Sequence, residues 1–317
     1  MRPSPLALAL ALALALSLAA PAVWADVTHV FTRGETFAAI AERYYGNASL
    51  EPVVVAANFL HLQATPSVPT GVHLTIPSVG YHRVAAGETW ERLATRHLGD
   101  GGRGPYLARI NGGAFNVPPS VGAVIRLPYL LRYVVSAEEP MFEVARRFYG
   151  DRALVQFISE FNRLPSQRLA RGQTLILPLP DLVLRDTAPD SPEAALITAH
   201  SAQRQVDREL PTLEQLVTRG LYVEAVALGG RLLGLDDLAS PQRVVVLRQL
   251  AEAYAALDRR DLAADAFRDL LRLEPAFTPD PRTTPPKVLD ALSLARGTAP
   301  EQTLRAAPPT ARPDTAH

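Results

Sequence analysis

Three stretches of this chain carry one pattern in register, and a unit that must be built three times constrains the fold more than any other feature of the sequence. The first opens at His29 and runs through Val30, Phe31, Thr32, Arg33, Gly34, Glu35 and Thr36 to Phe37. The second opens at His82 and reaches Gly87, Glu88, Thr89 and Trp90. The third opens at Arg132 and reaches Ala137, Glu138, Glu139, Pro140 and Met141. Aligned on Gly34, Gly87 and Ala137, the spacing is 53 and then 50 residues.

Each opening reads as a short strand, a turn and a helix. Gly34 and Gly87 suit a tight turn that needs a positive φ. Thr36 and Thr89 stand where a hydroxyl caps the first helical N–H groups. The helices follow with apolar or small side chains at i, i+3, i+4 and i+7, such as Phe37, Ile40, Ala41 and Tyr44, or Met141, Val144, Ala145 and Phe148. Gly46, Gly99 and Gly150 fall just past their ends. A second short helix closes at Asn58, Asn111 and Asn162, read here as residues that tolerate the left-handed conformation. A Pro-rich loop leads to a closing strand that ends at Pro77, Pro128 or Pro178, where proline stops the pairing. Each unit is therefore β-α-α-β, and the expected fold class is α+β.

Composition limits what these units can do. The 317 residues carry 32 basic and 32 acidic side chains, so no strong field for nucleic acid or membrane is expected. Lys287 is the only lysine, and there is no cysteine, which removes disulfides, thiolate metal sites and cysteine nucleophiles. The first 25 residues read as a cleaved secretory signal: Arg2, an apolar run from Leu6 to Ala20, then Pro21 and small residues at Val23 and Ala25. The expectation is an exported protein, in the periplasm or at the cell surface, with no membrane span after cleavage.

The repeated pattern resembles the LysM module: an apolar strand, Gly-acidic-Thr-aromatic, two helices, an Asn and a closing strand ending in Pro. The resemblance covers residues 29–180, divided as modules 27–80, 81–131 and 132–180. His29, His82 and Arg132 stand in place of the family's leading tyrosine, and the third copy lacks the glycine and the capping threonine. The resemblance implies binding of N-acetylglucosamine-containing glycans, notably peptidoglycan, in a shallow groove between the first turn and the loop after the second helix. Carried over by position, the first groove uses Gly34, Glu35, Thr36, Phe37, Asn58, Phe59 and Leu60. The second uses Gly87, Glu88, Thr89, Trp90, Asn111, Gly112 and Gly113. Plainer roles stand beside these: the threonines cap, Phe37 and Trp90 are core, and the glutamates complement the helix dipole. Tandem copies would raise affinity through effective concentration.

Residues 181–192, rich in Pro, Asp and Thr, read as a linker. Beyond them, 193–296 is helical. A helix from Pro192 to about Leu210 comes first, then a partial unit from Gly220 to about Leu235. From Pro241 to Pro275, Leu247, Leu250, Ala251, Tyr254, Ala263, Phe267 and Leu270 follow a pattern that resembles the tetratricopeptide (TPR) helix pair, with Asp258 to Asp261 as its turn. A small helical bundle is the alternative. Either suggests contact with a protein partner. Another helix starts at Pro286, and the tail at 297–317 has a disordered composition.

No sequence motif for catalysis stands out. His61 and His73 flank a Pro-rich loop and read as surface residues, and no cofactor or metal is implied. The leading expectation is a non-enzymatic, wall-anchored glycan binder that presents a helical interaction segment. The alternative is an envelope assembly scaffold whose modules no longer bind glycan. A third reading is a cell-wall hydrolase with an unrecognised site.

Overall fold

The computed structural model describes residues 27–63, 68–185 and 192–297. The expected signal peptide, and the expected tail apart from Gly297, lie outside the described residues. The chain divides into two compact units. The first runs to Gln205 and includes Asp236–Ser240; the second comprises Val206–Leu235 and the chain from Pro241 onward.

In the first unit each repeat closes its own two-stranded antiparallel sheet. The first repeat has β1 (Val27–Val30), α1 (Phe37–Tyr45), α2 (Glu51–Ala57) and β2 (His73–Ile76), with Val27 opposite Ile76. The second has β3 (Gly80–Arg83), α3 (Trp90–Leu98), α4 (Gly104–Ile110) and β4 (Val124–Leu127), with Gly80 opposite Leu127. The third has β5 (Tyr129–Val134), β6 (Glu139–Pro140), α5 (Met141–Tyr149), α6 (Val155–Phe161), β7 (Arg168–Leu169) and β8 (Thr174–Leu179). There β5 pairs with β8, and β6 with β7.

Local chemistry explains the repetition. The hydroxyls of Thr36 and Thr89 accept the N–H groups of Ala39 and Arg92, capping α1 and α3. Asn47, Asp100 and Asp151 each accept an N–H two residues on, starting the 3-10 turn that leads into the second helix. Asn58, Asn111 and Asn162 do not take the left-handed conformation expected of them; their φ values are −100°, −101° and −97°. The following residues, Phe59, Gly112 and Arg163, take it instead, at 57°, 73° and 53°. The asparagine carboxamides do something else. Asn111 Nδ2 donates to Leu107 O and Arg126 O, and its Oδ1 accepts Arg126 N–H at 2.7 Å. Asn58 and Asn162 repeat this clamp onto Thr75 and Ile176. The side chain ties the end of the second helix to the closing strand, which a longer or apolar residue cannot do.

The third repeat corrects the alignment. His29 and His82 lie six residues before Glu35 and Glu88, and Tyr133 lies six before Glu139. Tyr133, not Arg132, therefore fills the leading position, and Glu138, not Ala137, stands where the glycine was. Glu138 does not adopt a positive φ. The chain runs extended into β6 instead of making the tight turn. Pro178 also departs from the expected strand end, because it lies inside β8 opposite Leu130.

The three repeats share their cores. Module 1 keeps a cluster of Ile40, Ala41, Val54, Leu60, Leu74 and Ile76. Its Val53 and Ala56, however, join a cluster with Val79, just before β3, with Tyr81 and Val124 of β3 and β4, and with Leu131, Tyr133, Met141 and Leu177 of β5, α5 and β8. Phe161 of module 3 packs into the module 2 cluster around Trp90, Leu93 and Leu107. Each fully buried Val, Leu, Ile, Met or Phe among them contributes roughly 1.5–3 kcal/mol. The stretch expected to be a linker begins as part of this packing: Leu182 is buried, and its carbonyl accepts Val79 N–H at 2.9 Å. The helix α7 (Pro192–Thr218) contributes its first turns to this unit, where Gln203 Oε1 accepts Val124 N–H at 2.7 Å and His200 Nδ1 donates to Val124 O.

In the second unit α7 continues through Pro211, beyond the expected end near Leu210. Proline costs one backbone donor within the helix, but the helical pattern resumes on its far side, and Leu213 is fully buried. Then follow α8 (Tyr222–Leu233), α9 (Ser240–Ala256), α10 (Arg260–Leu273) and α11 (Pro286–Ala295). Leu247, Ala251, Phe267, Leu270, Val288 and Leu292 bind α9, α10 and α11 into one core. Among the described residues no helix is long and apolar enough to cross a membrane.

Candidate functional site

The first turn of modules 1 and 2 is built identically. Glu35 N–H bonds to Thr32 O, and Glu88 N–H to Ala85 O, both at 3.3 Å. Gly34 and Gly87 have φ of 87° and 81°, the third position of a type II turn. A Cβ built on either glycine meets nothing within 4 Å, so the space above both turns is open.

The glutamates staple these turns from below. Glu35 Oε2 accepts Thr32 N–H at 2.7 Å and the Nε2–H of His29 at 3.0 Å. The Thr32 bonds, ahead of His29, pull the Glu35 carboxyl down to about 2. With Nε2 donating, His29 Nδ1 accepts the Tyr44 hydroxyl at 3.1 Å. Glu88 Oε2 accepts His82 Nε2–H at 2.6 Å and Ala85 N–H at 2.9 Å, while Oε1 takes Arg96 at 2.6 Å. Burial opposes ionisation of Glu88, but the bonds from His82 and Ala85 outweigh it and hold the carboxyl below its ordinary range. In module 3, Tyr133 O–H donates to Glu139 Oε1 at 2.6 Å and Arg147 pairs with Oε2 at 2.7 Å. Burial, with that bond to Glu139, pushes the Tyr133 hydroxyl up to about 12.

The other expected site residues divide by role. Thr36 and Thr89 cap. Asn58 and Asn111 are spent on the strand clamp. Leu60 is buried, whereas Phe59 is 47% exposed. Phe37 is half-buried against Phe31, with ring centroids 5.8 Å apart. Trp90 is buried, and its Nε1–H donates to Val117 O at 2.8 Å. Gly113 lies so close to the indole that a Cβ there would come within 2.8 Å of Trp90 Cζ2. A Cβ on Gly112 would approach Arg204 at 3.1 Å. In module 2, therefore, Trp90, Gly113 and Val117 bring the first turn and the later loop together. In module 1 the corresponding loop includes 64–67, outside the described residues.

What the turns leave open to solvent is backbone above Gly34 and Gly87 and a set of apolar side chains. Phe59 and Leu62 are exposed in module 1, and Phe115, Val117 and Val121 in module 2. Sequence reasoning named Phe59 but missed Leu62, Phe115, Val117 and Val121, and it missed what the histidines do beneath the turns. Their signal was present, since His29 and His82 precede the two glutamates at one spacing. His61, expected at the surface, is half-buried: its ring stacks on Tyr133 and its Nε2–H donates to Val134 O at 2.9 Å. Burial lowers its pKa. The reason is the shared core, which brings the end of module 1 against β5. Among the described residues no group of three or more His, Asp or Glu side chains could hold a metal ion.

No family model and no solved structure matches this chain. Two proteins named esterase, from two strains of Mycobacterium tuberculosis, are each 34% identical to it over 152 residues. The match takes in 47% of this chain and 33% of each relative. The chain thus spans about a third of the length of the curated relatives it matches. Their names overturn the expectation of a non-enzymatic glycan binder, and equally that of an assembly scaffold without chemistry. Peptidoglycan and carbohydrate binding are not what those names state; they point to a hydrolase.

Proposed function

We propose that the chain takes part in ester hydrolysis and that its three-repeat unit is the part that holds the substrate. One observation carries this reading: 34% identity over 152 residues to proteins named esterase. A match of that extent is about as long as the described three-repeat region. The open backbone above Gly34 and Gly87, with exposed Phe59 and Phe115 nearby in sequence to the second helices, supports a surface for engaging substrate.

The fold reading is proposed with it. The repeats are LysM-like α+β modules, and the second unit is a TPR-like helical segment suited to a protein partner. Export follows from the signal-like first 25 residues.

The test is ester turnover by the full chain on 4-nitrophenyl acetate, butyrate and octanoate, against the heat-denatured chain. Release of 4-nitrophenol above that control is expected, and a serine-directed fluorophosphonate probe then locates the nucleophile. Release equal to the control on all three esters overturns the proposal.

A further inference from the structure

One position distinguishes module 2 from its neighbours. Tyr44, His97 and Phe148 occupy the same place near the end of the first helix of each repeat, two residues before Gly46, Gly99 and Gly150. In module 1, Tyr44 completes the hydrogen bonding of His29. In module 3, Phe148 packs edge-on against Tyr133, with ring centroids 5.0 Å apart. In module 2, two imidazoles meet: His82 and His97 have ring centroids 5.1 Å apart, tilted by 48°.

Both rings carry a buried nitrogen without a partner among the described residues, His82 Nδ1 and His97 Nε2. Glu88 is an acceptor, so His82 Nε2 bears the hydrogen in that bond, and neutral His82 presents a bare lone pair at Nδ1. A proton added to His97 places a cation beside Arg96. The titratable and charged groups that act on His97 are His82 from β3, Arg96 from its own helix and Glu88 from the turn. Only Glu88 favours the added charge, and its two oxygens already serve His82, Ala85 N–H and Arg96.

We propose that His82 and His97 form an acid-sensitive lock on the Ala85–Glu88 turn of module 2. Proton uptake at His97, packed against His82, loosens the Glu88 staple there, while the equivalent segments of modules 1 and 3 stay closed. Burial, then His82 and Arg96, bring His97 down to about 4 from an ordinary 6.5. The sign follows. The unfolded chain takes up this proton below pH 6.5, and the folded chain resists until about 4. The contribution to stability is full above 6.5 and is lost as pH falls toward 4. This inference stands independently of the ester reading, because it concerns the turn and not its ligand.

The test is a pH titration of the full chain, following the amide resonances of Gly34 and Gly87 and the imidazole carbons. Gly87 is expected to shift with a midpoint near pH 4 while Gly34 stays fixed there, and His97→Phe is expected to abolish the shift. If His97→Phe does not fold at neutral pH, His97→Tyr, the module 1 arrangement, is read in its place. A Gly87 that stays still down to about pH 3 overturns the lock. So does one that titrates unchanged in the folded variant, or a Gly34 that moves with the same midpoint.

Discussion

His61, at the end of module 1, stacks on Tyr133, in the opening strand of module 3, with ring centroids 5.0 Å apart and an interplanar angle of 29°. Its Nε2–H also donates to Val134 O. One side chain therefore joins two repeats that are separated in sequence by the whole of a third. His61→Ala removes a buried stacking pair and a hydrogen bond and is expected to destabilise the first unit by about 1–2 kcal/mol. Urea unfolding followed by far-UV circular dichroism measures it. An unchanged midpoint would mean that the modules hold together without this contact.

Asn111→Ala should cost more. The carboxamide serves two carbonyls and one N–H between α4 and β4, and the smaller residue leaves all three groups partly buried and unpaired. A loss of about 2–4 kcal/mol is expected. Asn111→Asp, the closest shape, keeps the acceptor but turns the Nδ2 donor into a second acceptor facing two carbonyls, so it should not restore stability. Thermal unfolding of both variants checks the point.

The glycines Gly113 and Gly229 make a paired prediction. A Cβ at Gly113 meets the rigid indole of Trp90, and Gly113→Ala should cost about 1–3 kcal/mol and change the Trp90 emission. A Cβ at Gly229 in α8 comes within 2.7 Å of Cδ2 and 2.8 Å of Cγ of Leu250, a buried but rotatable aliphatic side chain. Alanine gains about 1 kcal/mol in helix propensity, which offsets part of that clash, so Gly229→Ala should cost clearly less than Gly113→Ala. Similar losses for the two in chemical unfolding would contradict this account.

Acid should act on module 1 through Glu35 and later than on module 2. The Glu35 carboxyl is held down at about 2, against 4.5 ordinarily, by the Thr32 bonds and then by His29. Its contribution is complete above pH 4.5 and disappears as pH falls toward 2. Glu35→Gln should flatten the pH dependence of stability in that window and leave it unchanged near neutrality. Unfolding midpoints at half-unit pH steps would show whether it does.

Much of the local structure was legible in the sequence because it rests on short-range chemistry. The caps at Thr36 and Thr89 and the tight turns at Gly34 and Gly87 each depend on neighbours a few residues away. The third repeat was misread by one position, since Arg132 and Tyr133 are adjacent and only the bond from Tyr133 to Glu139 fixes the register. The Asn clamps, the His61 stack and the burial of Leu182 were not legible, because each joins residues far apart along the chain. The open parts of the site were half-visible: the glycines and Phe59 declared themselves, while exposed Phe115 looks in sequence like an ordinary core residue. Function was the least legible, because the names that bear on it come from relatives and not from a motif in this chain.

The exchange of Val53, Ala56 and Phe161 between neighbouring cores has a further consequence. Copies of a repeated unit are often treated as interchangeable parts, to be cut out, shuffled or assayed one at a time. These three have ceased to be interchangeable. Removing one would leave its neighbours with an open wound of apolar surface, so a single excised copy is a fragment of a protein and not a smaller version of it. The spacing between the two open turns is likewise set by packing and not by a tether, and any molecule that engages both must already have that length.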